Sequence, residues 1–444
     1  MTIARTICLG FIGTILIGAF LLTLPFSSAS GEWNNFLVAL FTSTSAVCVT
    51  GLVVVDTGTV FSGFGQLMIT LLIQVGGLGY MTLSTFLMLL IGRRFDLSQK
   101  FAIKDSFDQP YNQGTRNLIR SIIATTFLGE LTGVILLFIR FSHDFDPLRA
   151  LWLSIFHSVS AWNNAGFGLF PDNLMSYHGS IIVNGAITGL IIFGGIGYEA
   201  IIELSLFIRH RLKGKTRPFT FSLNFSVVTT TTMWLLGIGT IAILAVEWSN
   251  ANTFANMNVG DKAIAAWFQS VTTRTAGFNT IDIGKMTTAG LFITMGLMFI
   301  GASPSGTGGG IKTTTLSIIA SCTRSVLYGQ ERVNMFEREI AHTIVYKAIA
   351  VVFGSATVVV LATALISVTN PEVELIAILF EVISAFATVG LSTGITASLS
   401  AIAKIILICT MYCGRVGVLL LMSAILGDIP PSRINYPEEN LLVG

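Results

Sequence analysis

Four short phrases in the sequence end on a glycine behind the same pattern of residue types. Phe41 stands ten places before Gly51, Phe156 before Gly166, Trp267 before Gly277 and Phe380 before Gly390. Three phrases carry Ser-Ala at one register, at Ser45-Ala46, Ser160-Ala161 and Ser384-Ala385, and a large apolar residue follows every glycine. Glycine adopts backbone angles closed to other residues, so it can turn peptide carbonyls toward a common point. Carbonyls gathered there can replace the hydration shell of a cation. The candidate coordinating residues are Val49, Thr50 and Gly51; Asn164, Ala165 and Gly166; Thr275, Ala276 and Gly277; and Val389 and Gly390. The carbonyls of Thr50, Ala165, Ala276 and Val389 are the expected ligands of a potassium ion. The phrases differ around the shared glycine, so selectivity should rest on backbone oxygens. No ring of Asp or Glu stands at these positions, which argues against a calcium-type filter.

A second motif follows each phrase. It reads Gly76-Gly77-Leu78-Gly79, Gly194-Gly195-Ile196-Gly197 and Gly414-Arg415-Val416-Gly417. The third copy starts alike at Gly301-Ala302, then expands through Ser303, Pro304, Ser305, Gly306, Thr307, Gly308, Gly309 and Gly310 to Ile311. This flexible stretch, about 302–311, is expected to lie across the ion path and to gate it, with Arg415 beside it as a positive barrier or anchor. Lys312 joins the gate set, with snorkelling to the inner interface as its plainer alternative. Arg274 could deter cations before the third glycine or turn outward to an acid such as Asp282. Glu130, Glu199, Glu203 and Glu381 fall in or beside apolar segments; each could couple protons, though helix-end satisfaction is the commoner use.

The elements that must hold these motifs are membrane helices. Apolar runs near 6–25, 63–92, 118–140, 180–207, 223–247, 286–327, 344–368 and 399–426 are long enough to be candidate spans. Four stretches, about 34–48, 150–163, 260–273 and 372–387, are too short to cross; each is a re-entrant helix or an amphipathic helix on the surface. The glycines that end the phrases are 115, 111 and 113 residues apart, close to a quarter of the 444-residue chain. The expected fold is an all-α polytopic membrane protein with eight transmembrane helices and four re-entrant pore helices, in four pseudo-fourfold repeats around a central pore. The repeats are 1–92, 93–207, 208–327 and 328–426, followed by a tail at 427–444. Segments 93–120, 208–217 and 324–347 hold 15 of the 25 Lys and Arg residues and should face the cytoplasm, which places both termini inside.

Composition narrows the functional classes. The chain is 52% hydrophobic and only 11% charged, which excludes a water-soluble enzyme. A net charge of +2 supplies no field for binding nucleic acid. The five Cys form no CxxC pair, and no metal site or cofactor is expected. GTGGGIKT (306–313) lacks the GK[ST] end of a phosphate loop, because Ile311 separates Gly310 from Lys312. A secondary transporter with inverted repeats fits poorly, since the four units run parallel. Sodium- or proton-coupled potassium transport on the same fold stays open.

The phrases VTGLVVVDTGT (49–59), WNNAGF (162–167), TRTAGFNT (273–280) and FATVGLSTG (386–394), with the interrupted third repeat, resemble the Trk/Ktr/HKT superfamily of potassium transporters. The chain is most similar to the Ktr-type ion-translocating subunit of bacteria. The resemblance implies that 302–311 is the family's intramembrane loop and Arg415 its gate-associated arginine. It also implies potassium preference from four filter glycines and a homodimer with one pore per protomer in the plasma membrane. A cytosolic ring of nucleotide-binding, RCK-type regulatory subunits would dock on 93–117, 208–217 and 323–340. Potassium is then the substrate. The membrane potential contributes ~2.3 kcal/mol per charge per 100 mV, about a 50-fold concentration ratio, enough for uptake without ATP cleavage on this chain.

Overall fold

The computed structural model describes residues 3–79, 115–214 and 219–427. The end of the run expected at 63–92, most of the basic segment 93–120, the last three residues of 208–217, and the tail after 427 lie outside the described residues. Within the described residues the fold is helical, with one two-stranded hairpin, Asn334–Met335 against Arg338–Glu339, inside the basic segment 324–347.

Each quarter of the chain builds the same series. A long helix comes first: α1 Ile3–Thr23, α4 Thr115–Phe141, α8 Leu223–Glu247 and α12 His342–Thr369. A short helix follows: α2 Phe36–Val47, α5 Pro147–Trp162, α9 Val259–Thr272 and α13 Leu375–Phe386. After the glycine phrase comes a second apolar segment. It is α3 Gly63–Leu78 in the first quarter, α6 Ile181–Gly195 with α7 Tyr198–Leu212 in the second, α10 Thr288–Phe299 with α11 Thr313–Leu327 in the third, and α14 Ala401–Val416 with α15 Val418–Leu426 in the fourth.

The four long helices are long and apolar enough to cross a membrane, and the count reaches six if each of two bent pairs is one span. Their outward faces expose Ile17, Phe20, Leu128, Ile241 and Val360, while polar residues such as Thr42, Ser43, Thr44 and Ser45 are buried at the centre. That inside-out pattern suits a hydrocarbon surround, where polar groups must find partners inside the protein. The short helices have 12, 16, 14 and 12 residues. At a rise of about 1.5 Å per residue, none can cross a ~30 Å core. Their C-terminal halves are buried almost all round, as Phe41–Val47 is, so the surface-helix alternative does not hold.

The runs at 180–207 and 399–426, expected as single spans, are each two helices bent by 103° and 95°. The physical cause is the last glycine of the second motif. Gly197 and Gly417 sit at φ 96° and 88°, and Gly79 at φ 75° ends α3 in the same way. A residue at such an angle cannot continue a right-handed helix, and glycine reaches it without steric cost. In the third quarter the loop 300–312 replaces this bend, so 286–327 is also not one continuous helix.

The first glycine of the motif has a different task. A Cβ at Gly76 would run into the Val47 carbonyl, one at Gly194 into the Trp162 carbonyl, and one at Gly414 into the Phe386 carbonyl. Each carbonyl belongs to the last residue of a short helix, so these glycines let the second helix touch the end of the short one. Gly414→Ala should therefore destabilise the folded protein by at least ~1–3 kcal/mol, the usual cost of overpacking. Thermal unfolding of the detergent-purified protein should show a lower midpoint; an unaltered midpoint would refute this close contact.

The quarters pack in a closed cycle. α3 lies on α5, α6 on α9, α10 on α13, and α14 returns to α2. Within it, one apolar core joins the first and last quarters through Phe41, Phe61, Val382 and Leu407, a second joins the second and third quarters, and a third joins the third and fourth. Just past the end of α4, Tyr177 donates to Asp144 at 2.9 Å and Arg140 pairs with the same carboxylate at 2.7 Å. The Arg140 guanidinium and then the Tyr177 hydroxyl hold the Asp144 carboxyl below the usual carboxylate range.

Candidate functional site: a ring of four glycines above a buried loop

The cycle of helices brings the four phrases to one place. Each short helix ends and the chain enters the left-handed region at Val49, Asn164, Thr275 and Thr388, with φ of 57°, 57°, 69° and 52°. Two residues later stand Gly51, Gly166, Gly277 and Gly390 at φ 90°, 68°, 77° and 90°. Valine and threonine are poorly suited to that region, and each costs of order 1–3 kcal/mol there. The surrounding packing must hold them.

The glycines touch one another in order. A Cβ at Gly51 would strike the Ala165 carbonyl, one at Gly166 would lie 2.7 Å from the Ala276 oxygen, and one at Gly277 2.5 Å from the Val389 oxygen. A Cβ at Gly390 would strike the Thr50 carbonyl, which closes the ring. The carbonyls met are those of Thr50, Ala165, Ala276 and Val389, all in buried residues. The four stretches named from sequence are thus brought together at one place. Thr388 belongs with them and was not singled out; its register, level with Val49, Asn164 and Thr275, was the available signal.

The Ser-Ala register gains a role. Gly51 N–H donates to Ser45 Oγ at 3.0 Å, and Gly390 N–H to Ser384 Oγ at 3.1 Å. Tying these amides to the short helices leaves the carbonyls of the ring free to face elsewhere. The aromatic register holds in three copies, where Phe41, Phe156 and Phe380 are buried, but Trp267 is 37% exposed and Phe268 fills the buried place instead.

Beneath the ring lies the loop 300–312. Gly301 N–H donates to the Ile311 carbonyl at 2.8 Å, which pinches its ends together. Ser303 and Thr307 donate their amides to Gly195 and Gly194 at 3.0 and 3.2 Å, and Gly309 N–H donates to Thr388 Oγ1 at 2.9 Å. Ser305 accepts from the Tyr198 amide, a Cβ at Gly308 would collide with Thr275 Oγ1, and one at Gly306 would press on Gly195. Gly310 sits at φ 70° against Ala387. Ala302 is buried, and Lys312 turns back to donate to the Gly308 carbonyl at 2.8 Å.

Two guanidinium groups hold this loop. Arg415 donates to the Thr307 carbonyl of the loop and to the Gly76 carbonyl of the first quarter. Arg274, 6% exposed, donates to the Ile300 and Gly301 carbonyls, at 2.5 Å for the second. The outward pairing of Arg274 with Asp282 does not form: Asp282 pairs with Lys285 at 3.0 Å, and the Arg274 guanidinium lies on the loop. Among the acids, Glu199 accepts from Asn224, and Glu203 accepts from the amide and hydroxyl of Ser222, so both serve the start of α8. Glu130 accepts from Asn163 at 3.2 Å, beside the second phrase.

The family model for TrkH, a cation transport protein, matches residues 7–428, and the chain belongs to that family. It is 38% identical to Ktr system potassium uptake protein B of Bacillus subtilis, over 99% of this chain and 96% of that one. It is also 38% identical to the protein of that name from Vibrio alginolyticus, over 99% and 94%. Potassium/sodium uptake protein NtpJ of Enterococcus hirae is 36% identical over 99% and 97%. The crystal structure of the potassium transporter TrkH from Vibrio parahaemolyticus matches the fold with a TM-score of 0.65 at 17% identity, over 93% of this chain and 84% of that one. The chain is therefore a multi-pass membrane transport protein and not an enzyme.

Proposed function

We propose that the chain takes up potassium across the plasma membrane by gated, channel-like conduction driven by the membrane potential. Dehydrated potassium passes the glycine ring, coordinated by the carbonyls of Thr50, Ala165, Ala276 and Val389. The loop 302–311 closes the path beneath the ring, with Arg415 as its fastening. The observation that carries this reading is the cycle of contacts from each glycine to the next quarter's carbonyl, which returns from Gly390 to Thr50. Support also comes from the names of two relatives that share 38% of their residues with this chain, both potassium uptake proteins. The full architecture would be eight spans and four re-entrant helices with both termini in the cytoplasm, assembled as a homodimer. A separate cytosolic ring of nucleotide-binding, RCK-type subunits regulates it from the basic face.

The mechanism is short. Oxygens of the peptide backbone replace water around the ion, and one layer of such oxygens gives fewer sites and weaker discrimination than a filter of several layers. The four short helices present their C-terminal ends, and hence the negative ends of their dipoles, to the same region, which favours a cation there.

The test is potassium and sodium uptake in a transport-deficient cell, with and without substitutions at the four glycines. Potassium-dependent growth that is lost or becomes sodium-tolerant on substitution is the expected result. Equal uptake by all variants would remove the filter assignment. Reversal potentials in liposomes should follow the potassium gradient alone; a shift with a sodium or proton gradient would favour coupled transport instead.

A further inference from the structure

Glu381 lies on α13, nine residues before Gly390, and is 1% exposed. Helix-end satisfaction is not its use. Its carboxylate accepts from the Thr393 amide at 3.0 Å, the Thr396 hydroxyl at 3.0 Å and the Thr393 hydroxyl at 3.5 Å, and from the Ser392 hydroxyl. All these donors lie on the segment that leaves the glycine ring, just beyond Leu391. A carboxylate with this many donors is held in one place, and holds them in turn.

The same device occurs at the same register in the second quarter. His157 stands nine residues before Gly166 and is fully buried. Its Nδ1 donates to the Leu153 carbonyl at 2.8 Å, which leaves Nε2 to accept from the Leu169 amide at 3.5 Å. Leu169 is twelve residues after His157, and Thr393 is twelve residues after Glu381. Two different side chains thus meet the backbone amide at one equivalent position beyond the ring. The first and third quarters place Thr42 and Phe268 at that register.

We propose that Glu381 is a positioning residue for the fourth quarter's carbonyl: from behind Gly390 it fixes the outgoing segment 391–396 and so helps set where the Val389 carbonyl stands. This rests on the reading of the glycine ring as the potassium filter. Ser384 ties the amide of the Val389–Gly390 peptide and Glu381 ties the amide of Thr393, so the short segment from that peptide to Thr393 is held at both ends. Glutamine can still accept from the Thr393 amide and can donate to the Thr396 hydroxyl; alanine can do neither.

The experiment measures the potassium-to-sodium permeability ratio of the full-length protein in liposomes for Glu381→Ala and Glu381→Gln, with Gly277→Ser as the control. Expected is a fall of at least about tenfold in the ratio for Glu381→Ala, the factor carried by one hydrogen bond to a charged group, with most of it restored in Glu381→Gln. If Glu381→Ala does not reach the membrane, the double variant Ser392→Ala, Thr396→Val takes its place, with a fall in the ratio expected. An unchanged ratio in the variant that is measured, or an equal loss in both Glu381 variants, overturns the positioning role. An unchanged ratio in Gly277→Ser overturns the filter reading itself, and the role of Glu381 falls with it.

Discussion

Gly390→Ser is expected to be the most damaging of the four ring substitutions, removing most potassium uptake or lowering potassium-over-sodium selectivity by about tenfold or more. Gly390 holds φ 90°, where any side chain is strained, and its Cβ would collide with the Thr50 carbonyl. Neither group can retreat, because Gly390 N–H is tied to Ser384 and the Gly51 amide next to Thr50 is tied to Ser45. Gly166→Ser should be the mildest, since φ there is 68° and the Cβ would lie 2.7 Å from Ala276. Gly277→Ser, at 2.5 Å from Val389, falls between them. Uptake of rubidium with sodium as competitor measures the order. Selectivity that does not change at any of the four sites rules out carbonyl discrimination here.

Opening the loop should have the second largest effect. Arg415→Ala removes two guanidinium hydrogen bonds, to Thr307 and Gly76, each worth roughly 1.5–3 kcal/mol when one partner is charged. A loss of ~3 kcal/mol from the closed arrangement multiplies the open-to-closed ratio by about 100, so flux should rise at least tenfold where the loop limits it. A partial deletion within 303–310 should raise flux in the same direction, because it also removes the amides that reach Gly194 and Gly195. Potassium efflux from loaded liposomes reads both. Flux at the level of the unsubstituted protein in both variants would mean that the loop does not gate.

Much of the site could be read from spacing because quadruplication writes the same local problem four times. A glycine at a fixed distance from an aromatic residue marked each ring position, and its positive φ is a local property that sequence can reveal. The second motif was visible as Gly-x-x-Gly, but its meaning was not. That the first glycine meets the end of a short helix and the last one bends the chain by about a right angle depends on tertiary contact, which composition does not carry. Arg274 shows the limit most clearly. A lone arginine beside the third phrase has several electrostatic outlets, and its actual partners, the carbonyls of Ile300 and Gly301, are backbone atoms that leave no trace in residue type. Thr388 is hidden for a simpler reason: threonine is a residue type that gives no sign of the left-handed backbone it adopts at φ 52°.

The contacts that complete the ring set the order of assembly. Thr50 is met by Gly390, Gly76 by Arg415, and Arg5 reaches Ala424 at 2.8 Å, so the head of the chain is finished only by its tail. During synthesis the first quarter cannot complete these contacts until residues 390 and 415 have been made. Such a high sequence separation makes docking slow and all-or-none, and chains cut short before residue 415 would be left with an open seam for quality-control proteases to find.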